Sequence, residues 1–188
     1  MNALVGLKKD MTRVYTDTNK SVPVTLISIK GCVKAKTLNG STYIGIGKRS
    51  NSKTLLGQFK DLGYVPMYVA TIKGDIEVGP DGFIPGDMVT VKGITKGKGF
   101  QGVVKRHGFA GGPKTHGQSD KLRHPGSSGS GTTPGRVWKG KRMGGRMGGD
   151  NVTVKNIEVM VVDKENGILA LKGAIPGGRN NLITIIKA

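Results

Sequence analysis

The sequence predicts a mainly β protein: a small antiparallel β-barrel with a long, basic, glycine-rich extension inserted between two of its strands. Three observations carry this. Short β-branched runs recur near both ends of the chain, with no helices alternating between them. Glycine makes up 32 of 188 residues, and it concentrates with positive charge in residues 95–148. Those same residues hold too few large apolar side chains to build a core of their own.

The strands follow in order. Val22, Val24, Leu26, Ile27 and Ile29 form a run of strand length. Residues 42–47 and 67–72 are two more, and Val89 and Val91 alternate with polar neighbours in residues 87–92. Val152 and Val154 share one parity, whereas Ile157, Val159 and Val161 carry the opposite one. A bulge near Lys155-Asn156 reconciles them. Asp163-Lys164-Glu165-Asn166-Gly167 is a hairpin turn leading into residues 168–171. Pro176-Gly177-Gly178-Arg179-Asn180-Asn181 is another, before a last strand at 182–186. One segment has helical spacing: Leu55, Leu56, Phe59 and Leu62 follow Ser52, a candidate N-cap, and Gly63 and Pro66 end the run. The expected organisation is a barrel domain from residues 1–94 and 151–188, with 95–150 as the extension.

Charge sharpens that division. The chain carries 30 Lys and Arg against 12 Asp and Glu, a net +18. Residues 95–148 hold 12 of the cations, one acid (Asp120), 15 glycines and all three histidines. Their large apolar residues are nine: Phe100, Val103, Val104, Phe109, Leu122, Val137, Trp138, Met143 and Met147. Ordering backbone costs roughly 1–2 kcal/mol per residue. A fully buried large side chain returns about 1.5–3 kcal/mol. Nine such groups do not offset 54 ordered residues, so the segment is expected to be disordered or ordered by a partner.

Several classes are excluded. No apolar run approaches the roughly 20 residues of a membrane helix. The first residues lack the basic and apolar regions of a signal peptide. One cysteine, Cys32, allows neither an intrachain disulfide nor a thiolate zinc cluster, and it reads as a small apolar strand residue. The expectation is a soluble, cytoplasmic, cationic protein that binds a polyanion.

Candidate chemistry is sparse. Gly97-Lys98-Gly99-Phe100-Gln101-Gly102 matches a dinucleotide-binding pattern, but that reading needs a long helix after Gly102. Gly108, Gly111, Gly112 and Pro113 forbid one, leaving a glycine-rich strand end whose backbone approaches phosphates. His107, His116 and His124 stand nine and eight residues apart, too far for a local metal site, and no cofactor is expected. With one acid in the segment, acid–base catalysis has no pair to work with. Trp138 sits among Arg136, Lys139, Lys141 and Arg142. It either packs on the barrel or offers an aromatic surface to RNA between phosphate-binding cations.

At these residues the chain resembles the universal large-subunit ribosomal protein L-three family. Four motifs carry the resemblance: Gly6-Leu7-Lys8-Lys9-Asp10-Met11-Thr12-Arg13; residues 95–106, which begin Thr-Lys-Gly-Lys-Gly-Phe; Thr115-His116-Gly117; and residues 133–145, which begin Thr-Pro-Gly-Arg-Val-Trp. The closing residues 171–177 fit as well, and the length is similar to bacterial or organellar members. The resemblance implies a translation-protein-like barrel on the ribosome surface and a loop reaching through ribosomal RNA toward the peptidyl-transferase region. It implies early assembly, no enzymatic activity and no small-molecule substrate. Partners would be large-subunit rRNA and neighbouring ribosomal proteins, away from membranes.

Carried over by motif, residues 96–106, with Lys96, Lys98, Lys105 and Arg106, and residues 139–146, with Lys139, Lys141, Arg142 and Arg146, would be the two RNA-lined arms of the loop; His107, Arg136 and Trp138 are further RNA-binding candidates beside them. Lys114, His116, Lys121, Arg123 and His124 lie between them, and Ser130, Gly131, Thr132 and Thr133 belong to the tip. Many bacterial members place a methylated glutamine before the Thr-Pro-Gly turn. Thr132 stands there in this chain and has no amide nitrogen to accept a methyl group. Residues 50–65 are shorter than in many bacterial members. A free nucleic-acid-binding or RNA-chaperone protein is the alternative reading, and a nucleotide-dependent enzyme rests on the glycine pattern alone.

Overall fold

β-Branched and apolar residues at alternate positions put one side of each strand into a core. A computed structural model describes residues 2–16, 18–49 and 53–187. In chain order the strands are β1 (Asn2–Tyr15), β2 (Ser21–Ser28), β3 (Cys32–Leu38), β4 (Ser41–Lys48), β5 (Pro66–Lys73), β6 (Glu77–Val78), β7 (Met88–Ile94), β8 (Phe100–Gln101), β9 (Gly145–Arg146), β10 (Asn151–Asp163), β11 (Ile168–Lys172) and β12 (Leu182–Lys187). The chain divides into two units, Met1–Thr95 with Asn151–Ala188, and Lys96–Asp150. They are called here the β unit and the inserted unit. The fold is mainly β.

In the β unit, antiparallel pairing runs β12-β7-β10-β11-β2-β1, and β1 pairs again with β12. Hydrogen bonding therefore passes round six strands and returns to its start, leaving these strands few unpaired backbone groups. β6 adds to β1 in parallel, and β3-β4-β5 form a separate antiparallel sheet.

Strand periodicity of two gives β1 two buried faces. Leu4 joins Ile27, Phe83, Val91, Val159, Leu169, Leu171, Ile183 and Ile185 in one core cluster. Its neighbours Ala3 and Val5 point the other way and pack with Ile44, Ile46, Ile72 and Ile76. The second sheet thus covers the outside of β1. Gly6 is required between these layers: a Cβ there would lie 2.3 Å from Ile27 Cγ2. The buried hydroxyls are satisfied, Thr25 donating to Gly173 O at 2.6 Å and Thr42 to Gly74 O at 2.7 Å.

The motif at residues 6–13 fastens a distant turn. Lys8 Nζ donates to Ile175 O at 2.7 Å and Gly177 O at 3.1 Å, and Lys9 Nζ donates to Asn180 Oδ1 at 3.1 Å. Arg179 pairs with Asp10 at 3.0 Å. The turn so held packs against the end of β7: a Cβ on Gly177 would lie 3.1 Å from Ile94 O, and one on Gly93 would lie 3.2 Å from Pro176 Cγ.

The structure follows several expectations and corrects others. The bulge is present, with a register shift between Val154 and Ile157 and Asn156 at φ 58°. A second shift lies between Val159 and Val161. It turns Val161 outward, 41% exposed, and sets Val162 against the core instead. Parity alone had placed Val161 with Ile157 and Val159. The hairpin at 163–167 closes as expected. Asp163 accepts from the Asn166 backbone N–H at 2.9 Å and side-chain amide at 2.8 Å, and the backbone bond chiefly holds its carboxyl below the ordinary value.

The helical run is a short α1 (Lys53–Leu56) continued by a 3-10 turn (Gly57–Leu62) rather than one helix, because Phe59 is non-helical at φ −125°, ψ 40°. Gly63 ends it at φ 66°. Phe59 is thereby turned onto Ala35 and Val65. The candidate cap Ser52 lies outside the described residues. Cys32 opens β3 half-buried, with Val5 N–H donating to Sγ at 3.4 Å, and burial raises its thiol.

Candidate nucleic-acid interface

The inserted unit is built with almost no interior. Of its large apolar side chains, Val103 is buried, whereas Phe100, Leu122, Val137, Trp138 and Met143 are exposed. Order comes from backbone hydrogen bonds and glycine instead. β8 and β9 pair as Phe100↔Arg146 and Gln101↔Gly145. Lys98 N–H donates to Met147 O, and Met147 N–H to Gly99 O, each at 2.9 Å, and the Gln101 amide bonds Lys98 O. Gly148, at φ 73°, leaves no room for a side chain, since a Cβ would lie 2.1 Å from Lys96 O.

After β8 comes α2 (Val103–His107), five residues long, ending at Gly108 with φ 74°. The glycine pattern at 97–102 is therefore followed by little more than one turn, and its strand belongs to an antiparallel hairpin. A dinucleotide site needs a parallel strand–helix–strand unit, which this is not. The last turn of α2 grips the returning chain. Arg106 Nη1 donates to Met143 O at 2.9 Å, and His107 Nε2 donates to the same carbonyl at 3.0 Å. Arg106 fits because residue 145 is glycine: a Cβ there would lie 2.6 Å from its guanidinium.

Further along, Gly112 N–H donates to Leu122 O at 3.0 Å, closing residues 111–122 into a loop. Gly111 makes this crossing possible, since its Cβ would lie 2.1 Å from Leu122 O. A cavity of about 440 Å³ beside it is lined by residues including Phe109, Gln118, Lys121 and His124.

The structure places the sequence-derived residues as follows. Lys96, Lys98, Lys105, Arg106, Lys114, His116, Lys121, Arg123, His124, Arg136, Trp138, Lys139, Lys141, Arg142 and Arg146 are exposed, and His107 is half-buried. Ser130, Gly131, Thr132 and Thr133 are exposed as well. Arg106 and His107 meet on one carbonyl; Arg136 lies 5.3 Å from the Trp138 ring centroid, over its face. His107, His116 and His124 do not come together, and among the described residues no group of three His, Cys, Asp or Glu is placed to hold a metal. No helix among the described residues is long and apolar enough to cross a membrane.

The β unit treats its charges differently. Lys34–Asp75, Lys164–Asp81, Lys172–Glu158, Arg179–Asp10 and Lys187–Asp87 are ion pairs within 2.5–3.0 Å. The inserted unit has twelve cations against two acids, Asp120 and Asp150, so most of its charge has no carboxylate within the unit to meet. Sequence reasoning gave one residue here no role: Phe100, counted among the large apolar residues too few to build a core, is 79% exposed. The poverty of apolar partners around it was the available signal.

A six-strand antiparallel ring bearing an acid-poor, glycine-rich cationic insertion defines a class of basic β protein whose charge is displayed rather than internally paired. The comparisons with known proteins make this specific. The profile of the family described as ribosomal protein L3 matches residues 65–168, which include the whole inserted unit. The large ribosomal subunit protein uL3 of Chlorobaculum parvum is 43% identical over 205 aligned residues, covering 99% of this chain and 98% of that one. The uL3 proteins of Herpetosiphon aurantiacus and Chlorobaculum tepidum are 43% and 44% identical, covering 100% and 99% of this chain and 97% and 98% of theirs. The chain belongs to the ribosomal protein L3 family, as its motifs implied. Alignments of 205 residues against a chain of 188 show that these relatives carry positions this chain lacks.

Proposed function

We propose that this chain is a structural component of the large ribosomal subunit, holding large-subunit rRNA through its inserted unit. The observation that carries the proposal is the coincidence of twelve cations and two acids with a single buried large apolar residue in a family named for the large subunit. A segment held by backbone bonds with so little interior is stabilised further by what it binds, and a polyanion supplies both counter-charge and shape. RNA offers crevices between helices into which a glycine-rich ribbon threads.

In this reading the six-strand ring is a small barrel that anchors the protein. The arms around Lys96–Arg106 and Lys139–Arg146 line RNA, and residues 127–133 form a tip directed toward the peptidyl-transferase region. Binding occurs early in subunit assembly, and neighbouring ribosomal proteins complete the surroundings. No catalytic role is assigned: phosphate neutralisation and shape do the work, and no acid–base pair stands among the cations.

Isolation of ribosomal subunits in high salt tests the proposal. Stoichiometric retention in the large subunit is the expected result. Recovery in the free pool, with loose binding to many RNA sequences, would replace it with an RNA-chaperone role.

A further inference from the structure

The most exposed aromatic ring of the inserted unit lies outside the cation set assigned above. Phe100 is 79% exposed, although phenylalanine has no polar atom to favour water. Its position is defined, not loose. It lies on β8 directly opposite Arg146, so the two side chains share one face of the ribbon. The ribbon is closed on one side of it by the Lys98–Met147 and Gly99–Met147 backbone bonds and on the other by the pairing of Gln101 with Gly145. The Cε1–Cζ edge of the ring lies close to bare backbone: a Cβ on Gly144 would lie 3.3 Å from Phe100 Cε1 and 3.5 Å from Cζ. Trp138 differs, because the Arg136 guanidinium already lies over its ring.

We propose that Phe100 is a preformed stacking platform for an RNA base, with Arg146 beside it engaging the adjoining phosphate. The inference rests on the RNA-binding reading given above and adds to it a contact that carries no charge. Cations alone hold the phosphate backbone without fixing where a base sits. A ring on a paired ribbon, with one edge against a glycine, fixes one base plane at little ordering cost, since it has only two torsions to lose. A protein partner is disfavoured by the charge: Lys96, Lys98 and Lys105 are near the ring in sequence, Arg146 stands opposite it, and the inserted unit has twelve cations against the two acids Asp120 and Asp150.

The test measures binding of the full chain to bacterial large-subunit rRNA over a range of salt concentrations. Phe100→Leu keeps apolar bulk and removes the π-face; Phe100→Tyr keeps the face. Loss of base stacking corresponds to about a 5- to 150-fold loss of affinity. That loss is expected for Phe100→Leu with the salt slope unchanged, and Phe100→Tyr is expected within about threefold of the parent. Phe100→Leu binding like the parent overturns the inference, as does Phe100→Tyr falling as far as Phe100→Leu. A loss accompanied by a shallower salt slope also overturns it, because the ring would then serve only to place cations. In these cases the steep salt dependence of the parent still supports the RNA-binding reading. Its absence in the parent would remove that reading first. A photo-crosslink from rRNA to residues 99–105 in assembled subunits is the second expected result; crosslinks elsewhere in the inserted unit but none there would count against the platform.

Discussion

The β unit and the inserted unit solve opposite problems with the same chain. In the β unit Leu4, Ile27, Leu169, Leu171, Ile183 and Ile185 are fully buried, and lysines such as Lys164 and Lys172 meet carboxylates. In the inserted unit Val103 is the buried large residue, and twelve exposed or half-exposed cations outnumber two acids. The first is stabilised by removing apolar surface from water; the second holds its shape through backbone bonds and glycine crossings. The difference teaches that being ordered and being internally stable are separable. In the proposed function, another molecule completes the inserted unit.

The contrast breaks first, and by the largest margin, on truncation. Leu171→Ala in the ring is expected to cost about 2–5 kcal/mol in denaturant unfolding. Val137→Ala, 47% exposed in the inserted unit, is expected to stay within about 0.5 kcal/mol of the parent. Equal losses would show that the inserted unit has a core of its own. Hydrogen exchange extends the comparison: amides of β7, β11 and β12 are expected to exchange slowly in the free protein and those of residues 126–140 quickly, with RNA slowing the latter. Slow exchange across 126–140 without RNA would contradict it.

Charge sharpens the contrast next. Replacing Lys139, Lys141 and Arg142 together with Ala is expected to flatten the log–log salt slope of RNA binding by about 2–3. Replacing Lys164 and Lys172, whose partners are Asp81 and Glu158, is expected to leave it within experimental scatter. Equal changes from both sets would move the interface onto the β unit.

The smallest effect is acid sensitivity of the β unit. Asp87 accepts from Lys187 Nζ at 2.5 Å and from Ile84 N–H at 2.9 Å, and the lysine bond chiefly holds its carboxyl below the ordinary value. A depressed folded-state value means stability that is present above the unfolded carboxylate value near 3.8 and lost as pH falls through the folded one. Asp87→Asn is therefore expected to flatten the acid limb of the unfolding midpoint below about pH 4. An unchanged limb would show that Asp87 does not contribute.

Much of this was legible in the residues, for reasons that also explain the gaps. The bulge at Asn156 could be read because valines and isoleucines on either side differ in parity, and an asymmetric face records its own register. The second shift, at Val159–Val161, left no such trace, because Val161 and Val162 are both valine and either can face inward. β1 was visible as a motif but not as a fourteen-residue strand. Gly6, Lys8, Lys9 and Asp10 break its alternation, since each serves a close approach or a distant turn and not the ladder. The cations of the interface were legible because charge without acids is a compositional fact. Phe100 was not, because an uncharged ring within a glycine pattern carries no compositional mark of what it contacts.

The pairing of Ile94 with Asn151 has a consequence for how such a protein is made and how it could vary. The chain departs from β7 and resumes in β10 at partnered positions, so in topological terms the 56 residues between are one oversized hairpin loop. Closing a flexible loop costs only about 0.6 kcal/mol more for each doubling of its length. Length there is thus a nearly free variable: the loop can lengthen, shorten or be exchanged while the strands that flank it keep their register. A version with Ile94 joined to Asn151 through a short Asn-Gly turn is expected to retain the unfolding cooperativity of the ring and to lose RNA affinity. The docking element is then an inheritable cassette, set into a scaffold that does not need to know what it carries.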